Sequence, residues 1–167
     1  MEDFDLIDEI FSDFDAIVEF YGMFKYHHIQ DSYVIACPRS ACPFRDPSHA
    51  KSYQELSVIR MIQLAHSLLE RARMHRSTSG KQLWAKIGLS IGPATGAVIS
   101  CHRRFYCLFG DVVNTSARMC AYSEPGRIHC TAQVANILRG TSHGTIKVES
   151  RGEMAIKGKG VMETFFL

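Results

Sequence analysis

Asn114 and Arg118 stand four residues apart in the stretch Phe105-Tyr-Cys-Leu-Phe-Gly-Asp-Val-Val-Asn-Thr-Ser-Ala-Arg118. The stretch predicts a strand over 105–109, broken by Gly110, and then a helix with Asp111 as its N-cap, running to about Tyr122. Residues four apart share one helical face. An amide and a fixed guanidinium fork on one face suit a negatively charged, oxygen-rich ligand. Taken alone, the pair reads more readily as a solvated helix face with a surface Arg. Val113 and Ala117, also four apart, are expected to face inward. Lys157 lies in the basic turn Lys157-Gly158-Lys159-Gly160, which on its own is a plain hairpin turn. Asp31 is a turn acid. Cys37, Cys42 and His49 lack the second Cys pair or the two-His spacing of a zinc knuckle, which argues against zinc. His66 and His75 read as surface or satisfied histidines.

These side chains need a frame. Apolar residues from Phe4 to Tyr21 recur at helical spacing, so 1–21 is a predicted helix capped by Gly22. Residues 23–37 read as two short strands turning at about Gln30–Asp31, and 37–48 as a Pro-rich loop. A long helix is expected over 52–74, with Leu56, Ile59, Ile62, Ala65, Leu68, Leu69 and Ala72 buried. Residues 76–81 read as a flexible connector. Alternation over 83–91 predicts a strand, Gly92-Pro93 a turn, and 96–100 another strand. After Glu124-Pro125-Gly126 come a strand over 127–131, a helix over 132–138, and closing strands at 146–148, 154–156 and 164–167. Residues 1–167 read as one domain without internal repeats.

Composition sets outer limits. The chain has 167 residues, 46% of them hydrophobic, enough for a core. A net charge of +2 with no sustained basic arm argues against nucleic acid as a partner. No apolar run is long enough to span a bilayer. Six cysteines without a secretion signal read as reduced thiols.

Phe-Gly-Asp-Val-Val-Asn-x-x-x-Arg-Met after Tyr-Cys-Leu resembles the signature of class III nucleotidyl cyclases, the adenylate and guanylate cyclase catalytic domains, and its wording is similar to the guanylate branch. The resemblance extends in order over Phe11-x-x-Phe14-Asp15, Gln30-Asp31-Ser32-Tyr33, Ile87-Gly-Leu-Ser-Ile-Gly-Pro93, Pro125-Gly-Arg-Ile128 and Arg151-Gly152 followed by the Lys157 turn. It implies a ferredoxin-like α/β domain with a mixed, mostly antiparallel sheet. That domain would pair head to tail with itself or with a second cyclase domain, with active sites at the interface. The implied reaction converts GTP, or ATP, to a 3′,5′-cyclic nucleotide and pyrophosphate, with two Mg²⁺ or Mn²⁺ ions. Asp31 matches a metal-binding position. Asn114 and Arg118 match the residues that orient the ribose and stabilise the α-phosphate, and Lys157 the lysine that binds the triphosphate. Cys107 and His27 match positions that read the base.

Three positions depart from the family pattern. Gln30 replaces a glycine, and Ser90 stands where histidine is common. His27 stands where adenylate cyclases carry Lys and guanylate cyclases Glu, and it cannot offer guanine the paired acceptance of a carboxylate. The resemblance also places a first strand, with a first metal aspartate, ahead of the first helix. The chain is therefore expected to be a fragment, inactive in isolation, of a longer protein whose cyclase domain is cytoplasmic and whose membrane contact lies in other segments. The leading expectation is a guanylate cyclase. The alternative is a degenerate cyclase homology domain acting as the regulatory, dimerising half, which His27, Gln30 and the missing aspartate favour.

Overall fold

The computed structural model describes residues 2–29, 32–37, 53–99, 105–141 and 146–167, in two compact units, Met1–Ala85 and Lys86–Leu167. In the first unit, helix α1 (Glu2–Phe20) packs on helix α2 (Tyr53–Ala72) and on strand β1 (Phe24–Ile29), which pairs antiparallel with β2 (Ser32–Ala36). Gly22, at φ 66°, ends α1 as expected and donates to Glu19 O at 2.9 Å. Phe14 and Val18 of α1 are buried, as are Val58, Ile62, Leu64, Ala65, Leu68 and Leu69 of α2. The stripe is therefore shifted from the expected one: Val58 and Leu64 are buried, while Leu56 and Ile59 are half-buried. Asp13 ties the two helices together, accepting from Arg71 at 2.8 Å and lying 2.7 Å from His75 Nε2, so His75 is a satisfied histidine. Arg71 holds the Asp13 carboxyl below the usual carboxylate range. Residues 76–81 form a closed turn, not an open connector, because Ser77 N–H donates to Lys81 O at 2.8 Å.

The second unit contains β3 (Ile87–Leu89), β4 (Thr95–Ile99), β5 (Phe105–Phe109), α3 (Asp111–Ala121), β6 (Ile128–Thr131), α4 (Ala132–Gly140), β7 (Glu149–Ile156) and β8 (Gly160–Phe166). Four strands form a sheet in the order β3-β6-β8-β7, parallel between β3 and β6 and antiparallel elsewhere. Strands β4 and β5 form a separate hairpin. Helix α3 packs on β3 and β6, and α4 on β6 and β8. Met119, Ile128, Cys130, Ala135 and Phe165 lie at the centre of the unit, all but excluded from water. This is an α+β fold with mixed, mostly antiparallel sheets, as the sequence implied.

Strand boundaries differ from expectation at β3, β7 and β8, the last of which begins at Gly160 and not at Thr164. The predicted strand over 83–91 shrinks to three residues, because it pairs only with Ile128–Cys130 of β6. Residues 146–148 lie outside any strand, and the strand begins at Glu149.

Candidate active site

Gly110 makes the corner from β5 into α3. Its φ is 148°, and a Cβ there would sit 2.6 Å from Pro93 O, so the corner accepts only glycine. Gly110, not Asp111, is the N-cap residue. Asp111 is the first helical residue, and its carboxylate pairs with Lys159 Nζ of the β7–β8 turn, 48 residues away. That ammonium holds the Asp111 carboxyl below its ordinary range.

The inward face of α3 is Thr115 and Met119, not Val113 and Ala117; Val113 is half-buried and Ala117 exposed. A threonine can take the inward position because its Oγ1 donates to Asp111 O at 2.8 Å, satisfying the hydroxyl within the helix. Asn114 and Arg118 point to solvent on one face, as expected, and neither has a hydrogen-bond or ion-pair partner among the described residues. Asp111 shares that face, three residues before Asn114 and seven before Arg118.

The helix itself is fixed along its length. Ser90 Oγ donates to Val112 O at 2.8 Å. His129 Nδ1 lies 2.8 Å from Met119 O, and Arg151 donates to Tyr122 O. A firmly held helix thus presents an amide and a guanidinium to water. This arrangement pre-organises donors for anionic oxygens.

Lys157 lies exposed in the turn at 157–159, the turn whose Lys159 reaches α3. Cys107 sits on β5 opposite Ala97, half-buried. Cys107, Asn114, Arg118 and the Lys157 turn thus all belong to the second unit, in which Lys159 of that turn reaches Asp111 of α3. His27 belongs to the other unit, on β1 opposite Val34 and beside a register shift. Asp31 and Gln30 lie between β1 and β2, outside the described residues. Among the described residues, no three His, Cys, Asp or Glu side chains come together as a metal site. A depression of about 450 Å³ opens beside the N-terminus of α3, lined in part by Ser90, Pro93, Asp111, Thr131 and Glu163; Asn114, Arg118 and Lys157 do not line it.

Sequence reasoning passed over Lys159, His129 and Arg151. Lys159 carried a signal, since it shares the Lys157 motif. His129 carried none, and Arg151 was visible only as part of the Arg151-Gly152 match, because the bonds these two make to the backbone carbonyls of Met119 and Tyr122 leave no mark on the sequence.

A family model described as "Adenylate and Guanylate cyclase catalytic domain" matches residues 1–167. The chain is 36% identical over 163 residues to the receptor-type guanylate cyclase gcy-14 of Caenorhabditis elegans, covering 97% of this chain and 14% of that protein. It is 33% identical over 168 residues to guanylyl cyclase C of Rattus norvegicus, covering 100% of this chain and 15% of that protein. The chain thus spans about a seventh of the length of these relatives. Among solved structures, the guanylate cyclase domain of RhGC from Catenaria anguillulae, in complex with GTP, superposes with a TM-score of 0.79 at 25% identity, covering 99% of this chain and 82% of that one. The adenylyl cyclase CyaB from P. aeruginosa shares the fold, with a TM-score of 0.73 at 19% identity over 97% of this chain and 80% of that one.

Proposed function

The chain belongs to the adenylate and guanylate cyclase catalytic domain family, and from that premise we propose that it is the guanylate cyclase catalytic domain of a longer, membrane-associated protein, making 3′,5′-cyclic GMP and pyrophosphate from GTP on the cytoplasmic side. The observation that carries this reading is the open Asn114–Arg118 face on a helix held along its length, with the Lys157 turn tied to the same helix.

In the proposed reaction the ribose 3′-oxygen bonds to the α-phosphorus. The bond from that phosphorus to the bridging oxygen breaks, pyrophosphate leaves with the electron pair, and the hydroxyl proton passes to solvent. Arg118 meets the charge that grows on the α-phosphate oxygens, and Asn114 fixes the ribose. Lys157 binds the β- and γ-phosphates as a point charge. The family pattern assigns Cys107 and His27 to base reading; a thiol tolerates the guanine carbonyl without imposing charge selection. Asp31 would help to hold Mg²⁺ or Mn²⁺, whose contribution would be to neutralise phosphate charge. Two copies pair head to tail, so that Asn114 and Arg118 of one copy work with Asp31 of the other.

The test is cyclic nucleotide production from GTP and from ATP with Mn²⁺, using the full-length protein. Asn114→Ala and Arg118→Ala should each lower turnover about a hundredfold or more while leaving the dimer intact by light scattering. Unchanged turnover would remove that residue from the site. No product from either nucleotide would favour the regulatory half, the reading that His27 and Gln30 support.

A further inference from the structure

The two lysines of the Lys157-Gly158-Lys159-Gly160 turn are not equivalent. Lys157 is exposed and has no partner among the described residues. The Lys159 side chain is only 16% exposed, although it sits in a turn, and its ammonium pairs with the Asp111 carboxylate. We propose that Lys159 is a positioning residue: paired with Asp111, it pins the turn to the first residue of α3 and so sets Lys157 over the same face as Asn114 and Arg118. This rests on the reading of that face as a nucleotide triphosphate site.

The turn needs such a pin. Gly158 and Gly160 both have φ 76°, and a Cβ on either would meet nothing within 4 Å, so local packing does not fix the turn. The backbone bond from Lys159 N–H to Ile156 O at 2.9 Å closes the hairpin but does not aim it. Asp111 supplies the aim. It stands on the face of α3 that carries Asn114 and Arg118, at its N-terminal end, and its backbone carbonyl is held by Thr115.

Charge gives the pair a second use. An uncompensated carboxylate at Asp111 would repel a triphosphate approaching Asn114 and Arg118. Lys159 cancels that charge and leaves Lys157 as the turn's unpaired cation. Stability is a poor explanation for the contact, since the Asp111 side chain is 80% exposed and surface pairs contribute little.

The experiment is a double-mutant cycle in the full-length protein with GTP, using Lys159→Met, Asp111→Asn, the double variant and Lys159→Arg. Either single change should raise KM for GTP about tenfold, with a smaller effect on kcat, and the double should be no worse than a single. Lys159→Arg should keep KM within about twofold of the parent, because the pair survives. Calorimetric binding of inorganic tripolyphosphate should show the same pattern and should depend on Lys157. Additive losses would mean that Lys159 touches the substrate directly, and would overturn the proposal. So would a lowered unfolding temperature with KM and tripolyphosphate affinity unchanged. If the parent makes no cyclic nucleotide but the coupling persists in tripolyphosphate affinity, the proposed activity fails and the pin stands. If the parent neither turns over GTP nor binds tripolyphosphate, both fail.

Discussion

His129 is fully buried, with the Phe166 ring 5.1 Å away. A carbonyl only accepts, so Nδ1 carries the hydrogen given to Met119 O, one residue beyond Arg118. Nε2 is then a bare lone pair, and it has no partner among the described residues. Protonation would create a second N–H with nothing to receive it, inside the core and in the field of Arg151, while the Glu124 carboxylate pulls the other way. Burial is the main cause, and it holds the His129 pKa below that of a free histidine. The sign follows. The native imidazole stays neutral, while the unfolded chain takes up a proton below about pH 6.5. His129 therefore favours folding fully above that pH, and its contribution is lost as pH falls toward the depressed native value. The unfolding midpoint should drop between pH 7.5 and pH 5 in the parent, with a shallower slope in His129→Asn, which keeps a donor near the Nδ1 position. Parallel curves would clear His129 of this role.

The contact of helix α3 with strand β3 depends on one glycine. A Cβ at Gly88 would lie 2.1 Å from Cys120 N and 2.3 Å from Ser116 O, which are backbone atoms that cannot turn aside. Gly88→Ala should therefore push α3 off the sheet and cost about 3 kcal/mol in denaturant unfolding. Gly140→Ala is the control: its Cβ meets nothing within 4 Å, and the change should be close to neutral. Equal midpoints for the two variants would show that α3 is not seated through Gly88. At this scale the sequence was legible where chemistry is local. The Gly110 break, the Pro125-Gly126 stop and the apolar run of β5 marked α3 and its neighbours to within a residue or two. The inward face of α3 was misread because a threonine reads as polar until its hydroxyl is known to bond back to Asp111 O. The span of β7 was misread for a related reason. Among the described residues it is the last strand in the order β3-β6-β8-β7, paired on one side only, so its residues Glu149, Ser150 and Glu153 carry no apolar signature.

For the whole molecule, the proposed site residues stood out in the sequence as motif matches, but how they assemble did not. The Lys159–Asp111 pair spans 48 residues, a separation at which spacing says nothing about contact. The β4–β5 hairpin adds a further demand. Among the described residues it joins no other strand, and Val98 is 62% exposed, Ile99 46% and Phe109 49%. A lone two-stranded hairpin with apolar side chains in water is marginal, and covering it with a second copy removes that exposure. Head-to-tail pairing of two copies would also complete each site, with Asp31 from one copy and Asn114 and Arg118 from the other. That arrangement makes a quantitative prediction. Asp31→Asn and Asn114→Ala, each in the full-length protein, should be nearly inactive alone. In a mixed dimer one site inherits both lesions and the other inherits neither. Random exchange puts half of the chains in mixed dimers, so an equal mixture should recover about a quarter of the parent activity. Cyclic GMP production before and after mixing measures this, with subunit exchange followed by fluorescence transfer between labelled copies. Exchange without recovery would mean that Asp31 and Asn114 serve the same site from one chain, or that the working partner is a different cyclase domain.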